Sequence, residues 1–167
     1  MIFVTVGNAT QGFRRLLDAI DRLAGEGFWE DEEILIQYGN NPDFRAVHCR
    51  QEDFLPMDRF VDLIDKASLV ISHAGAGTIL HALQVGKVPV IMPRRKQYGE
   101  VVDDHQLELV QALASAKRIV LAYEPDDLAQ AVVEARGHTR SCSSLPSRML
   151  GLVGRSIGEL IAAGNRR

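Results

Sequence analysis

Cysteine and long apolar runs are scarce in this sequence, and both absences narrow the class of protein. The two cysteines, Cys49 and Cys142, lie far apart and outside any Cys-x-x-Cys pair, which excludes a disulfide scaffold and disfavours a zinc site. No run reaches about 18 apolar residues, the length of a transmembrane helix, and the first residues lack the basic and apolar segments of a signal peptide. The sequence therefore predicts a cytoplasmic protein.

Aromatic residues make up only 6% of the chain, but the apolar content of 46% and the charged content of 25% are typical of a globular domain. These values exclude a disordered chain, and 167 residues suffice for one domain with a core. The net charge of −3 argues against bulk nucleic-acid binding. The charge is uneven, because residues 137–167 contain five arginines and one acid, which indicates a partner or an anionic surface for this tail.

Strand-like and helix-like segments alternate along residues 1–136. Short runs of β-branched and other apolar residues predict strands at 2–6, 33–38, 44–49, 69–72, 88–92 and 118–121. Apolar residues spaced by three and four predict helices at 13–25, 57–67, 77–85, 104–115 and 126–135. This alternation predicts an α/β fold, a single Rossmann-like domain with a doubly wound, mainly parallel sheet.

The chain changes character after residue 136. Residues 137–147 are rich in Ser, Arg and Gly and predict a linker. Residues 148–167 carry apolar residues at helical spacing among arginines, which predicts a basic amphipathic C-terminal helix. Such a helix either packs on its own domain or docks on another protein or a lipid head-group layer.

Residues 72–78, SHAGAGT, form the strongest candidate for a binding site. Small residues between a buried strand and a helix let the backbone approach a ligand, and the helix start offers N–H groups to an anion. The dinucleotide motif GxGxxG fails at Leu80, and the P-loop motif fails because no lysine follows Gly77. The segment predicts either a phosphate site at the carboxyl end of a strand or a tight structural turn.

Other candidate residues follow neighbouring strands. Gly7 and Asn8 form a second strand-to-helix turn that either closes the same anion site or caps the first helix. After the fifth strand comes a cluster of cations, suited to a diphosphate or to a solvated loop. The next helix starts with residues that could cap it or bind sugar hydroxyls. These residues are Arg94, Arg95 and Lys96 in the loop, and Asp104, His105 and Gln106 at the helix start.

Three segments together resemble a known family. The segments MIFVTVGN, SHAGAGTILHAL and GKVPVIMPRRKQYGEVVDDHQLELVQAL are similar to the C-terminal, donor-binding domain of the GT-B glycosyltransferases of family 28. The resemblance covers about residues 1–136. It is greatest to the stand-alone donor subunits of two-subunit transferases, both of bacterial exopolysaccharide and capsule assembly and of eukaryotic dolichol-linked sugar assembly.

The resemblance implies a role for each matching residue. His105 and Gln106 match positions that read the donor sugar. His81 stands where related transferases commonly have a glutamate that binds the ribose hydroxyls. A neutral imidazole accepts only one such bond, so the ribose contact and the nucleotide preference stay open, and His81 is equally suited to a helix surface. The residues matched to the donor diphosphate and uridine are Gly7, Asn8, His73, Gly75, Ala76, Gly77 and Thr78.

The resemblance also implies an inverting transfer from a UDP-sugar, with no other cofactor. The helix start at 77–78 and the cations of the loop after the fifth strand would stabilise the leaving UDP. No Asp-x-Asp triplet is present to hold a metal. His73 and Asp104 are the local candidates for a general base, although a base from a partner subunit is favoured.

A GT-B enzyme has two Rossmann-like domains, and this chain supplies one. The resemblance therefore implies a membrane-anchored partner subunit that binds a lipid-linked glycan acceptor and recruits this chain to the inner face of the membrane. Without that partner, an exposed apolar face could drive homo-oligomer formation. Two alternatives stay open: a non-catalytic nucleotide-binding subunit that regulates or scaffolds glycan assembly, and a sugar-nucleotide epimerase of the same fold.

Overall fold

The computed structural model of this chain describes residues 1–102 and 106–139. The strands are β1 (Ile2–Thr5), β2 (Ile34–Gln37), β3 (Arg50–Glu52), β4 (Leu69–Ser72), β5 (Val90–Ile91) and β6 (Val120–Leu121). The helices are α1 (Arg14–Gly25), α2 (Met57–Lys66), α3 (Ala76–Gln84), α4 (Gln106–Ser115) and α5 (Leu128–Thr139). Short 3-10 turns lie at Lys96–Tyr98 and Pro125–Asp127.

The six strands form one parallel sheet in the order β3-β2-β1-β4-β5-β6. This confirms the predicted doubly wound α/β fold. The strand order reverses direction between β1 and β4, where Thr5 is in register with Ser72. Open sheets of this type bind ligands in the crevice outside the carboxyl ends of the strands at such a point. The sheet therefore places the loops that follow β1 and β4 side by side.

Helices cover both faces of the sheet. For this reason every residue of its central strands is buried, instead of every second residue. On one face, the apolar stripe of α1 packs with α5 and with alternate strand residues. On the other face, α2, α3 and α4 pack over the remaining strand residues, in two clusters that contain Phe3 and Ile91. None of these helices has the length and apolarity to cross a bilayer.

The structure corrects two boundaries. The strand predicted at 44–49 is wrong, because Phe44 is buried in the loop after β2, where its ring packs against Tyr38, and the third strand runs from Arg50 to Glu52. The polar side chain of Asn41 shapes this loop by accepting a hydrogen bond from the N–H of Phe13. Helix α5 continues to Thr139, inside the predicted linker. The rest of that linker and the predicted C-terminal helix lie outside the described residues.

A nearly buried ion pair holds the segment after β5 against α1. The guanidinium of Arg15 donates to both carboxylate oxygens of Glu100, at 3.0 and 2.9 Å, and to the carbonyl oxygen of Pro93 at 2.9 Å. The second oxygen of Glu100 also accepts the backbone N–H of Arg95 at 3.0 Å. The aromatic ring of Tyr98 stacks on the Arg15 guanidinium. Residues 93–100 are thus fixed at the edge where the loops of the sheet meet.

We expect the substitution Glu100→Ala to lower the free energy of unfolding by about 3 kcal/mol, because it leaves the Arg15 charge nearly buried without its main partner. Asp18→Ala is the matched control, since Asp18 pairs with Arg14 on the exposed surface of α1 and its loss costs less than about 1 kcal/mol. Urea unfolding of both variants measures the difference. Equal destabilisation by the two substitutions contradicts this account of the Arg15–Glu100 pair.

Candidate functional site

A cavity of about 370 Å³ opens at the carboxyl ends of β1, β2 and β4. Most of the residues predicted to bind the donor line it, which brings the two glycine turns of the sequence into one site. The lining residues for which donor binding was predicted are Gly7, Asn8, His73, Gly75, Gly77, Thr78 and His81. The remaining lining residues are Gln37, Leu55, Met57, Phe60, Val61 and Ile64.

The loop after β1, residues 6–13, has its carbonyl groups turned toward side chains. Arg94 donates to the carbonyl oxygens of Val6, Gln11 and Gly12 at 2.8–3.0 Å. The amide groups of Gln37 and Asn40 donate to the carbonyl oxygens of residues 7–9. Most of the carbonyl groups of the loop therefore have partners on its inner side.

The N–H groups of the same loop have few protein partners. Among the described residues, the backbone N–H groups of residues 8–12 have no hydrogen-bond partner, whereas the N–H of Gly7 is held by Thr5 and Gln37 and that of Phe13 by Asn41. Of residues 8–12, Asn8 lines the cavity, so its N–H is the donor of this run that a ligand there can reach.

The start of α3 offers a second group of donors. The backbone N–H groups of Ala76, Gly77 and Thr78 have no partner within the described parts of the chain, as expected for the first turn of a helix. A Cβ atom at Gly77 would meet nothing within 4 Å, so the backbone there is open to the cavity. The positive end of the helix dipole lies at the same place. Ala76 begins the helix but does not line the cavity.

His73 lies between the two glycine turns. A Cβ atom on Gly7 or on Gly75 would overlap its imidazole ring, and the positive φ of +69° at Gly7 also favours glycine. The backbone N–H of His73 donates to the carbonyl oxygen of Thr5 on β1. The packing of the ring against both glycines and this backbone hydrogen bond together hold the loops after β1 and β4 side by side.

Burial lowers the pKa of His73 to about 4, and the positive charge of Arg94 acts in the same direction. The imidazole is therefore neutral at pH 7. A general base works best with a pKa near the working pH, so this environment makes His73 a weak base and a better hydrogen-bonding group. Its Nδ1 atom lies 3.5 Å from the hydroxyl oxygen of Ser72, and Nε2 has no hydrogen-bond partner among the described residues.

Arg94 and Arg95, which are predicted to face the diphosphate, do not line the cavity. The Arg94 guanidinium is buried behind the loop after β1, because its hydrogen bonds go to backbone carbonyls and the ring of Phe13 covers it. The side chain of Arg95 extends toward the ring of Tyr123. Both positive charges stay near the site without touching its wall.

The apolar wall of the cavity was missed by sequence reasoning. Leu55, Met57 and Phe60 line it, although the pattern of α2 predicts core residues on that face. Met57, at the start of α2, is 73% exposed, and no sequence signal indicates this exposure. Gln37 was also missed; its buried amide ties β1 to the loop after β3 through Gly7 and the carbonyl oxygen of Asp53.

His81 lies on α3, one turn beyond Thr78, and its Nε2 atom is 2.8 Å from Oδ1 of Asp65 on α2. Asp104 and His105 lie outside the described residues. Gln106 is the first residue of α4, and its side chain is likewise outside them. Within residues 1–102 and 106–139, no three His, Cys, Asp or Glu side chains form a cluster that could hold a metal ion.

Comparison with known proteins assigns the family. Residues 1–145 match the family described as "Glycosyltransferase family 28 C-terminal domain". The chain belongs to this family. Because the match extends over most of the chain, both glycine turns and the cavity lie inside the family 28 domain.

Curated relatives of this family 28 domain carry a common name. The protein of Yarrowia lipolytica (strain CLIB 122 / E 150) named "UDP-N-acetylglucosamine transferase subunit ALG13" is 26% identical over 174 residues, which cover 97% of this chain and 85% of that protein. The Homo sapiens protein of the same name is 32% identical over 122 residues, which cover 67% of this chain but only 10% of that protein.

Solved structures show the same fold. The glycotransferase of kitacinnamycin superposes with a TM-score of 0.59 at 17% identity, covering 92% of this chain and 38% of that one. CalG4, the calicheamicin glycosyltransferase, superposes with a TM-score of 0.55 at 16% identity, covering 95% of this chain and 43% of that one. The family 28 domain thus has the α/β fold found in GT-B glycosyltransferases.

The lowered pKa of His73 predicts a pH-dependent stability. Because the unfolded chain takes up a proton near pH 6.5 and the folded one only near pH 4, the free energy of unfolding falls as the pH is lowered between these values. In His73→Gln this fall is smaller. Urea unfolding at several pH values measures it, with His48→Gln, which removes an exposed histidine, as the control. An unchanged pH slope in His73→Gln contradicts the prediction.

Proposed function

We propose that the chain is the donor-binding, catalytic subunit of an inverting, UDP-sugar-dependent hexosyltransferase. It acts with a membrane-associated partner subunit that binds the acceptor, in exopolysaccharide or lipid-linked glycan assembly. The observation that carries the proposal is the cavity between β1 and β4, which combines two groups of available N–H donors with an apolar wall. This combination suits a nucleoside diphosphate, which has an anionic part and an aromatic part.

The two parts of the nucleotide fit different parts of the cavity. The diphosphate takes the N–H groups of Asn8, Gly77 and Thr78, because these cavity-lining donors have no partner among the described residues and α3 directs its positive dipole end there. The uracil ring packs on the apolar wall formed by Leu55, Met57 and Phe60 of the α2 region. His73 lies between the turns and contributes a neutral hydrogen-bonding group.

In the proposed reaction, an acceptor hydroxyl attacks the anomeric carbon of the donor sugar and UDP leaves. Negative charge grows on the diphosphate as the glycosidic bond breaks, and fixed N–H donors stabilise that charge without reorganising. The buried Arg94 adds a positive charge behind the loop after β1. The low pKa of His73 favours a general base supplied by another group, either Asp104 or a residue of the partner subunit.

Two observations support a partner subunit. The curated relatives are named subunits of a transferase, and the one from Yarrowia lipolytica is matched over 85% of its length. In addition, Met57 in the wall of the cavity is 73% exposed, and Phe54 next to the lining residue Leu55 is also exposed. An apolar rim around a ligand site is suited to the docking of a second domain over the donor.

The names of these relatives also suggest the first donor to test. We expect UDP-N-acetylglucosamine to bind the full chain in isothermal titration without added metal, and ADP to bind more weakly, because the apolar wall fits the smaller uracil ring. Titration with UDP-glucose, UDP-galactose and UDP-glucuronic acid ranks the other hexoses. Equal binding of ADP and UDP contradicts selection of the uracil base.

The substitution Gly77→Val tests the site itself. A Cβ atom there meets nothing within 4 Å, so we expect the fold to be retained while the added side chain occupies space at the start of α3. We expect the affinity for UDP to fall about tenfold to hundredfold, the loss of hydrogen bonds to a charged group. Isothermal titration with UDP measures it.

Gly137→Val is the matched control, because Gly137 is also a helical glycine with open space around it, but it lies on α5 away from the cavity. We expect this variant to bind UDP as the wild-type chain does. Unchanged UDP affinity in Gly77→Val overturns the proposed site.

A further inference from the structure

The side chain of Gln37 joins the loops that follow β1 and β3. Gln37 ends β2 in register with Thr5 on β1, and only 1% of it is exposed. Its Oε1 atom accepts hydrogen bonds from the hydroxyl of Thr5 at 2.6 Å and from the backbone N–H of Gly7 at 3.2 Å. Its Nε2 atom donates to the carbonyl oxygens of Gly7 at 3.3 Å and Asp53 at 2.8 Å. One carboxamide thus binds both the N–H and the C=O group of Gly7.

These four hydrogen bonds use the full capacity of the carboxamide, which has two N–H donors and two lone pairs on its oxygen. They also fix its orientation, because exchanging O and N would place the oxygen against two carbonyl oxygens. Gln37 borders the cavity, but it has no donor or acceptor left for a ligand. Any effect of its polar group on binding therefore passes through the backbone that it holds.

The peptide unit between Gly7 and Asn8 is the part of that backbone that borders the cavity. No cis peptide bond occurs within the described residues, and in a planar trans unit the C=O and N–H groups point in opposite directions. Because the C=O of Gly7 points at the Gln37 amide, the N–H of Asn8 points away from it. That N–H has no protein partner in the described part of the chain.

The local sequence alone does not fix this orientation. Turning the unit over changes ψ of Gly7 and φ of Asn8, and Gly and Asn tolerate a wider range of backbone angles than most residues. The cavity would then present the carbonyl oxygen of Gly7, which repels an anion, in place of an N–H donor. The orientation therefore depends on contacts from outside the turn.

Gly39, in the loop after β2, provides a second such contact. A Cβ atom at Gly39 would lie 2.4 Å from the carbonyl oxygen of Gly7, so this oxygen occupies space that only a glycine leaves open. The backbone N–H of Gly39 donates to the carbonyl oxygen of Asp53, which also accepts from Gln37. Gln37 and Gly39 thus form one receiving site for the carbonyl group of Gly7.

We infer that Gln37 and Gly39 are positioning residues, which hold the carbonyl group of Gly7 out of the cavity so that the N–H of Asn8 binds the diphosphate. This inference rests on the proposed function. It adds to that function a control of the anion site by two residues that give the ligand no hydrogen bond. A network that only stabilises the strand ends would not set the direction of this N–H.

The substitution Gly39→Ala tests the inference without changing any charge. Its Cβ atom displaces the carbonyl group of Gly7 and turns the N–H of Asn8 from the ligand. We expect the affinity of the full chain for UDP, measured by isothermal titration, to fall about tenfold, the effect of losing one hydrogen bond to a charged group. Gln37→Met, similar in size and unable to bind the Gly7 carbonyl, has the same expected effect and decides the test if Gly39→Ala does not fold.

Gly27→Ala is the matched control. Gly27 has a positive φ of +75°, as Gly39 has one of +50°, but a Cβ atom at Gly27 would meet nothing within 4 Å. Gly27 follows α1 and does not line the cavity. This control includes the cost of an alanine at positive φ without any contact to Gly7, so we expect it to bind UDP as the wild-type chain does.

A second readout follows the peptide unit itself, without ligand. The distance between the α protons of Gly7 and the amide proton of Asn8 depends on ψ of Gly7, so the nuclear Overhauser effect between them changes when the unit turns over. We expect a changed effect in Gly39→Ala and in Gln37→Met, and the wild-type effect in Gly27→Ala. A loss of overall stability does not change this distance in the folded chain.

The outcomes separate the two proposals. If the wild-type chain binds no UDP, the proposed function fails and this inference fails with it. If UDP binds, but the folded Gly39→Ala and Gln37→Met variants bind it as tightly as Gly27→Ala or keep the wild-type Overhauser effect, only the inference about Gln37 and Gly39 is overturned.

Discussion

The close packing of the His73 ring between Gly7 and Gly75 is the contact on which the site depends. The ring approaches both glycines so closely that neither position has room for a Cβ atom. This contact is possible because β1 and β4 are neighbouring parallel strands in register, so that their loops leave the sheet side by side. With the ring in place, the N–H groups of Asn8 and of Gly77 and Thr78 belong to the lining of one cavity.

The charged side chains near this contact lie behind the loops and are not part of the cavity lining. Arg94 lies behind the loop after β1 and engages its carbonyl groups, so the N–H groups of that loop are left without protein partners. The Arg15–Glu100 pair fixes the segment that carries Arg94. Arg94 therefore acts on the backbone that it holds, and in the proposed site the nucleotide would meet amide dipoles instead of flexible cationic side chains. Such a preorganised surface stabilises an anion without paying for its own rearrangement.

Sequence reasoning predicted the fold and the position of the two glycine turns because both depend on local patterns. Buried strands appear as β-branched runs, and the glycine turns follow two of these runs directly. The third strand was misplaced because Phe44 is buried by a loop, which no periodicity reveals. The direction of Arg94, the role of Arg15 and the exposure of Met57 depend on contacts between elements far apart in the chain, so the pattern of any one segment does not contain them.

The most direct test of the account is a nuclear magnetic resonance titration of the ¹⁵N-labelled full chain with UDP. The account predicts that the largest saturable shifts occur at the backbone amides of Asn8, Gly77 and Thr78, because these N–H groups line the cavity and gain a hydrogen-bond partner from the diphosphate. If saturating UDP leaves these amides unmoved, or shifts only amides elsewhere in the chain, the cavity between β1 and β4 is not the nucleotide site.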